Sequence, residues 1–408
     1  MSHVKRRAFL QSVGVLPLSV GTLFRSQTSV SERPDKQNDY GSCDPWLEIN
    51  LKNIEWNLDQ LKRKVNGRPI MAVLKCNGYG HGLIEVGKFL EGLSVYGLAV
   101  GKLSEAIALR RAGIKCPVLN FGPFSGGDAE KIIRHKVSQT VYADEVLFLN
   151  EWANKLRTQG YVHIEVDTGL GRVGVSYTEA YGYIKRVAQL DNIKIEGVFQ
   201  TFTEEKEFDA IQLQRFLGVT DEAKKAGIKV GFRHASSSAG ILSYSDPFYL
   251  DMVRPGISIY GHYPTDEEDR LRRIELRPAL ALKSKVAFIK SLKPGDSLSY
   301  RRRFVAEKAE SVATATLGYS DGVPMNLVDH AFALVRGSRF PIFCDLTSNH
   351  SYLKTTGETE VMLGDEIVFI GKQGNAEITV GDLSRAVGLS NYKILLSLSP
   401  GLKRVFLS

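Results

Sequence analysis

Cysteine is scarce. Four occur in 408 residues, none as a CxxC pair, which excludes a disulfide-built scaffold and a thiolate zinc site. No apolar run reaches the roughly 18 residues a membrane span needs, so no stable membrane insertion is expected. The eight histidines show no metal-ligand spacing. No basic run with interleaved aromatics occurs beyond Arg301, Arg302 and Arg303, so a nucleic-acid partner is not indicated. What is present is ordinary globular composition, 43% hydrophobic and 24% charged, which excludes a disordered or collagen-like chain. The length allows two or three domains. The net charge of +8 suits anionic small molecules or a bacterial surface.

Residues 1–30 read as an address. Lys5, Arg6 and Arg7 precede Phe9 and Leu10, and a weakly apolar stretch runs from Val13 to Phe24, broken by Pro17. RRAFLQ fits the twin-arginine export pattern, which implies a folded protein delivered to the periplasm. A frayed basic helix is the bland alternative. Residues 31–45 are polar and read as a linker.

From 46 to 277, short apolar runs (LEINL, PIMAVLK, YGLAVG, PVLNFG, QTVYA, VHIEVD, IEGVFQ, VGFRHAS, MVRPGISIYG) alternate with stretches of helical period. Repeated about eight times, this predicts an α/β fold, a (β/α)8 TIM-like barrel. Several runs end in polar residues: Lys75, Asp167, Gln200, His234 and Arg254. A barrel collects its chemistry at the carboxyl ends of its strands, so these are the positions to inspect. From 278 to 408 the pattern becomes mostly β, with one helix at DLSRAVG ahead of NYKILLSLSP.

Lys75 ends an apolar strand in AVLKCNGYGHG (72–82). A lysine nucleophile needs a lowered pKa and a fixed position, because only the neutral amine attacks a carbonyl. A barrel mouth supplies both, and Gly78, Gly80 and Gly82 permit a tight backbone around Tyr79. On spacing alone, a solvated lysine before a turn also fits.

This segment closely resembles the cofactor-attachment motif of the alanine racemase family, approximately AVVKANAYGHG. VDTGLGRVG (166–174), HASSSA (234–239), DMVRPGISIYG (251–261), SLSYRRRF (297–304), GYSDGVP (318–324), GDEIVFIG (364–371) and NYKIL (391–395) resemble its successive motifs, in order. The resemblance implies a pyridoxal 5'-phosphate barrel followed by a β domain, working as a homodimer with shared sites on a small amino acid. Lys75 would hold the cofactor covalently and act as one catalytic base. Tyr300 would be the other, arriving from the second subunit. Arg254 would face the cofactor's ring nitrogen, and Tyr79, Ser238, Gly256 and Tyr392 would bind its phosphate. Arg172, Tyr319 and Ser348 would meet the substrate. The implied activity is interconversion of L- and D-alanine, or a broader set, feeding peptidoglycan. GLGRVG also reads as GxGxxG with Asp191 about twenty residues on, but VDT belongs to the racemase pattern, and a dinucleotide site is set aside.

The chain departs from that pattern in places. Glu165 stands where the family has a carbamylated lysine, and should return a negative charge beside Arg172. Thr201 replaces a histidine that buttresses the tyrosine base, and Ser237 replaces an asparagine. Cys344-Asp345 and Ser348-Asn349 replace Gly-Arg and Met-Asp pairs. The alternatives are another reaction on the same fold, decarboxylation or aldol cleavage, and a catalytically silent dimer that binds an amino acid. His81 and His163 read as structural, and no cysteine pairing is assigned.

Overall fold

The computed structural model describes residues 42–357 and 359–408. The twin-arginine segment and most of the linker lie outside the described residues. Nineteen strands are described: β1 (Trp46–Asn50), β2 (Met71–Val73), β3 (Gly97–Val100), β4 (Val118–Asn120), β5 (Ser138–Val141), β6 (Gly160–Asp167), β7 (Val175–Ser176), β8 (Ile193–Phe199), β9 (Phe232–His234), β10 (Leu280–Leu292), β11 (Ser297–Leu298), β12 (Phe304–Val305), β13 (Glu310–Ala315), β14 (Phe332–Val335), β15 (Ser338–Leu346), β16 (Ser351–Lys354), β17 (Glu366–Gln373), β18 (Ala376–Ile378) and β19 (Lys403–Leu407).

The parallel sheet runs β2-β3-β4-β5-β6-β8-β9, with β7 beside β6. Its strands are buried along nearly their whole length, because helices cover the outside. Those helices include Leu83–Gly92, Leu103–Arg111, Val146–Lys155, Ala180–Val187 and Lys206–Lys225. The ring closes through two residues: Met252 bridges His234 and Val253 bridges Ile70, both in parallel sense. MVRPGISIYG therefore does not form the full strand its composition predicts. Pro255 has no amide to donate, and the chain turns into a 3-10 helix at Ile257–Tyr260.

The antiparallel sheet runs β18-β17-β14-β15-β16-β13-β10-β1-β19, and β17 also pairs β10, so the sheet curls on itself. LEINL, expected as the first barrel strand, is β1 of this sheet, antiparallel to β10 and parallel to β19. Its alternation of buried and half-buried residues suits a sheet with one covered face. NYKIL is helical, within Asn391–Ser397 and capped by Ser390. The rest of the β region follows its apolar runs.

The first helix, Leu51–Lys64, joins the two sheets. Ile54, Leu58 and Leu61 line its buried face, and the Asn50 side chain caps it by accepting from the Asn53 amide at 3.0 Å. Fully buried Asn57 donates to the carbonyls of Ile259 and Arg277, at 3.0 and 2.8 Å, and accepts from the Arg277 amide at 2.7 Å. One side chain thus satisfies three main-chain groups where barrel passes to β sheet. Asn57→Ala should strand those groups and lower the free energy of guanidinium unfolding by about 2–3 kcal/mol. A loss under half of that would mean that water replaces the side chain.

Candidate active site at the barrel mouth

Strand β2 delivers Lys75 to the carboxyl end of the barrel. Cys76, Asn77, Gly78 and Tyr79 then run with φ between 52° and 61°, a left-handed turn. Only Gly78 takes this without steric cost. Tertiary contacts hold the others. The Asn77 amide donates to Glu105 at 3.0 Å, the Asn77 side chain accepts from the Leu83 amide at 2.8 Å, and Arg404 donates to the Gly80 carbonyl at 2.9 Å. Buried His81 donates from Nδ1 to the carbonyls of Gly78 and Tyr79, the structural role expected of it.

The Lys75 ammonium lies 5.9 Å from the centre of the Tyr79 ring. Burial holds its pKa below the ordinary lysine range, and the charge of Arg172 pushes the same way. Cys76 and Glu105 oppose both without cancelling them. More of the amine is therefore neutral than on a solvated lysine.

Four other expected residues gather beside it. Ser238 Oγ accepts from the amides of Gly256 and Ser258, at 3.0 and 3.2 Å. A Cβ on Gly256 would stand 2.4 Å from the Tyr79 hydroxyl, so that approach requires glycine. The Tyr79 and Tyr392 rings are 6.1 Å apart. Neither hydroxyl has a protein partner among the described residues. Burial raises the pKa of both, so they stay protonated as donors.

Arg254 is buried at the end of the two-residue closing segment. Nη1 donates to His234 Nδ1 at 2.8 Å, and Nη2 to the carbonyls of Gln200 and Ala235 at 3.0 Å. Burial lowers its pKa to about 10, which leaves it charged at neutral pH. Its Nε–H has no protein partner among the described residues.

The remaining expected residues lie elsewhere in the chain. Tyr300 is 76% exposed, in the connection of the β11–β12 hairpin. Tyr319 and Tyr392 line one cavity of about 600 Å³. Ser348 sits beside Tyr319: its carbonyl accepts from the Ser320 amide at 3.0 Å, while the Tyr319 amide donates to Thr347 at 3.0 Å. Asn349 donates to the Ser320 hydroxyl at 3.1 Å, so the altered Ser348-Asn349 pair is tied to the turn bearing Tyr319. Arg172 is exposed and makes no ion pair with Glu165. The charges of Arg254 and Arg172 act on Glu165 only through space. Ser237 caps the Ser238–Ser243 helix by position, without a side-chain bond, and Thr201 offers only its carbonyl, to Gln212 at 3.1 Å. Among the described residues no metal-holding group of three or more ligands exists, and no helix is long and apolar enough to cross a membrane. All four cysteines are free.

Two groups escaped the sequence reading. Glu105 clamps the lysine turn and also accepts from the Gly101 amide at 3.2 Å. His163 meets His234 inside the barrel, 2.9 Å between ring nitrogens. His163 reads from the sequence only as a structural strand residue, and nothing in the strand pattern points to its partner.

A barrel mouth with a lysine whose pKa burial lowers, a buried guanidinium and unpartnered hydroxyls defines a class: an enzyme scaffold for a small anionic group held against an amine. The profile described as "Alanine racemase, N-terminal domain" matches residues 49–264, and "Alanine racemase, C-terminal domain" matches 279–406. The alanine racemase of Carboxydothermus hydrogenoformans is 36% identical over 88% of this chain and 99% of its own length. Alanine racemase 1 of Clostridium acetobutylicum is 33% identical, covering 89% and 95%. Among solved structures, the alanine racemase of Clostridium difficile 630 superposes with a TM-score of 0.84 at 33% identity, covering 89% and 96%. That of Bacillus anthracis with bound L-Ala-P gives 0.81 at 31%, covering 90% and 96%. The chain belongs to the alanine racemase family.

Glu165 generates a test. Its carboxyl is 4% exposed, and burial raises its pKa to about 7, against the pull of Arg254 and Arg172. A carboxyl raised in the folded state favours folding while both states hold the proton. That contribution is lost as pH climbs from about 4.5 towards 7, and the loss is about 3 kcal/mol at most. Glu165→Gln should therefore melt with the wild type at pH 4.5 and above it at pH 8. Parallel melting curves across that range would contradict the assignment.

Proposed function

We propose that this chain is a pyridoxal-phosphate-dependent racemase interconverting L- and D-alanine, acting as a homodimer. The observation that carries the reading is the meeting of Lys75, on its left-handed turn, with the unpartnered Nε–H of buried Arg254 and the hydroxyls of Tyr79, Ser238 and Tyr392. The residues fit the cofactor. An unpartnered donor on a permanent cation suits an unprotonated ring nitrogen. The side-chain-free approach at Gly256 and the free hydroxyls suit a phosphate. Pyridoxal phosphate, when bound, supplies an electron sink for the charge left on Cα after proton removal.

The chain's own groups do the rest. The Lys75 amine exchanges the Cα proton on one face of the substrate. Tyr300 of a second copy serves the opposite face; its exposure within one chain leaves it free to reach a neighbour. Arg254 cannot readily accept a proton, so it holds the ring nitrogen unprotonated and limits side reactions. Arg172 and the Ser348 amide are the groups for the substrate carboxylate, with Tyr319 at the entrance. Export through RRAFLQ would place D-alanine production on the periplasmic side, beside peptidoglycan.

Purified protein loaded with the cofactor should absorb near ~420 nm. Borohydride should fix the label on the Lys75 peptide, and L-alanine should pass to the racemic mixture in a chiral assay. Tyr300→Phe should keep the label and lose roughly 10²–10⁴-fold in rate. A label elsewhere, or no D-alanine, would overturn the reading. Changing Arg6 and Arg7 together to lysine should retain the protein in the cytoplasm; continued arrival in the periplasm would rule out the twin-arginine route.

A further inference from the structure

A buried file of side chains runs from Arg254 away from the barrel mouth. His234 Nε2 stands 2.9 Å from His163 Nδ1, and His163 Nε2 faces a Glu196 carboxylate oxygen at 3.9 Å. Ser138 donates to that same oxygen at 2.6 Å. Both imidazoles are buried.

The arginine decides the direction of every bond in the file. A guanidinium has donors only, so His234 Nδ1 must present its lone pair. Burial and the Arg254 charge push His163 down to about 3 and His234 well below its ordinary value, so both rings are neutral. The His234 proton then sits on Nε2 and is given to His163 Nδ1. The His163 proton sits on Nε2, which has no hydrogen-bond partner among the described residues; the nearest Glu196 oxygen is 3.9 Å away. Any other tautomer sets two protons against each other at one of these contacts.

The backbone is shaped to permit this. In the β6–β8 ladder Val162 pairs Ile195 but His163 pairs Gly197, which leaves Glu196 as the extra residue of a bulge. A bulge re-aims a side chain that regular pleating would send elsewhere. A Cβ on Gly197 would stand 2.4 Å from His163 Nδ1, so only glycine admits the ring. A bulge and a glycine thus make room for one buried histidine behind His234.

We infer that His163 is a positioning residue: by accepting the His234 Nε2 proton it fixes the ring whose Nδ1 holds Arg254, and so keeps Arg254 in place as a donor towards the mouth. This rests on the reading of Arg254 as the partner of the cofactor's ring nitrogen. The effect passes through another side chain, so a loss of activity alone would not establish it.

The test has two arms on the full-length protein. Histidine-selective ¹⁵N spectra report which ring nitrogen carries the proton, with or without cofactor. Both His163 and His234 should show a protonated Nε2 and a bare Nδ1. Steady-state kinetics of the loaded enzyme on L-alanine form the second arm. His163→Leu removes the acceptor of the His234 proton and should lower kcat roughly 10-fold or more with KM little changed. His163→Asn places an amide oxygen near the lost nitrogen and should recover most of kcat. A proton on His234 Nδ1 in the wild type would overturn the inference, as would equal kcat for the Leu and Asn variants. A wild type that racemises nothing would overturn the function instead, and the spectra would still decide the tautomers.

Discussion

Four successive left-handed residues, Cys76 to Tyr79, are the constraint on which the site depends. Cys76 and Tyr79 each oppose their steric preference by roughly 1–2 kcal/mol, asparagine tolerates the conformation better, and glycine is indifferent. The turn persists because groups from distant parts of the chain over-determine it: Glu105 from the helix that follows β3, and Arg404 from β19. Strain held in this way at a barrel mouth fixes a reactive group without relying on its own flexible stem. Lys75 consequently sits half-buried beside Tyr79, and its amine is easier to deprotonate than a surface lysine's.

The same dependence explains why barrel and β sheet cannot be understood apart. β1 precedes the barrel in sequence yet pairs with β10 and β19, so the sheet holds the barrel's first helix by its amino end. Arg404 leaves β19 to reach Gly80, and the helix carrying Tyr392 packs its Leu395 carbonyl against the same glycine, 2.7 Å from where a Cβ would stand. The β domain therefore buttresses the lysine turn as well as contributing to the site. On the other side of the mouth, the charge of Arg254 is balanced by no ion pair among the described residues. Carbonyls and a histidine lone pair solvate it, with Glu165 supplying longer-range attraction. A charged residue buried in this manner is costly unless hydrogen-bonded, which is why its partners are themselves tightly placed.

Much of this was legible in the residues. Alternating apolar runs ending in Lys75, Asp167, Gln200, His234 and Arg254 predicted both the barrel and its chemical end, because parallel strands are buried on two faces and helices carry a 3.6 period. The clustering of Lys75, Tyr79, Ser238, Arg254, Gly256 and Tyr392 followed from motifs, not from spacing. What failed was non-local. LEINL has the composition of a barrel strand, and only its pairing with residues over two hundred positions away assigns it to the other sheet. MVRPGISIYG reads as a strand because proline's missing amide does not register in hydropathy. The bulge at Glu196 depends on a one-residue slip between two strands, and no pattern within either strand encodes it. Tyr300 lies exposed in the single chain; in the proposed homodimer it would complete the site of a second copy, which no pattern within one chain encodes.

That last point is the account's central claim, and subunit mixing tests it most directly. Lys75→Ala and Tyr300→Phe should each disable every site of their own homodimers. If each site draws Lys75 from one chain and Tyr300 from the other, a verified heterodimer of the two contains one intact site. It should racemise alanine at about half the wild-type rate per dimer. Heterodimers as inactive as the parent homodimers would contradict the shared site and remove Tyr300 from the reaction.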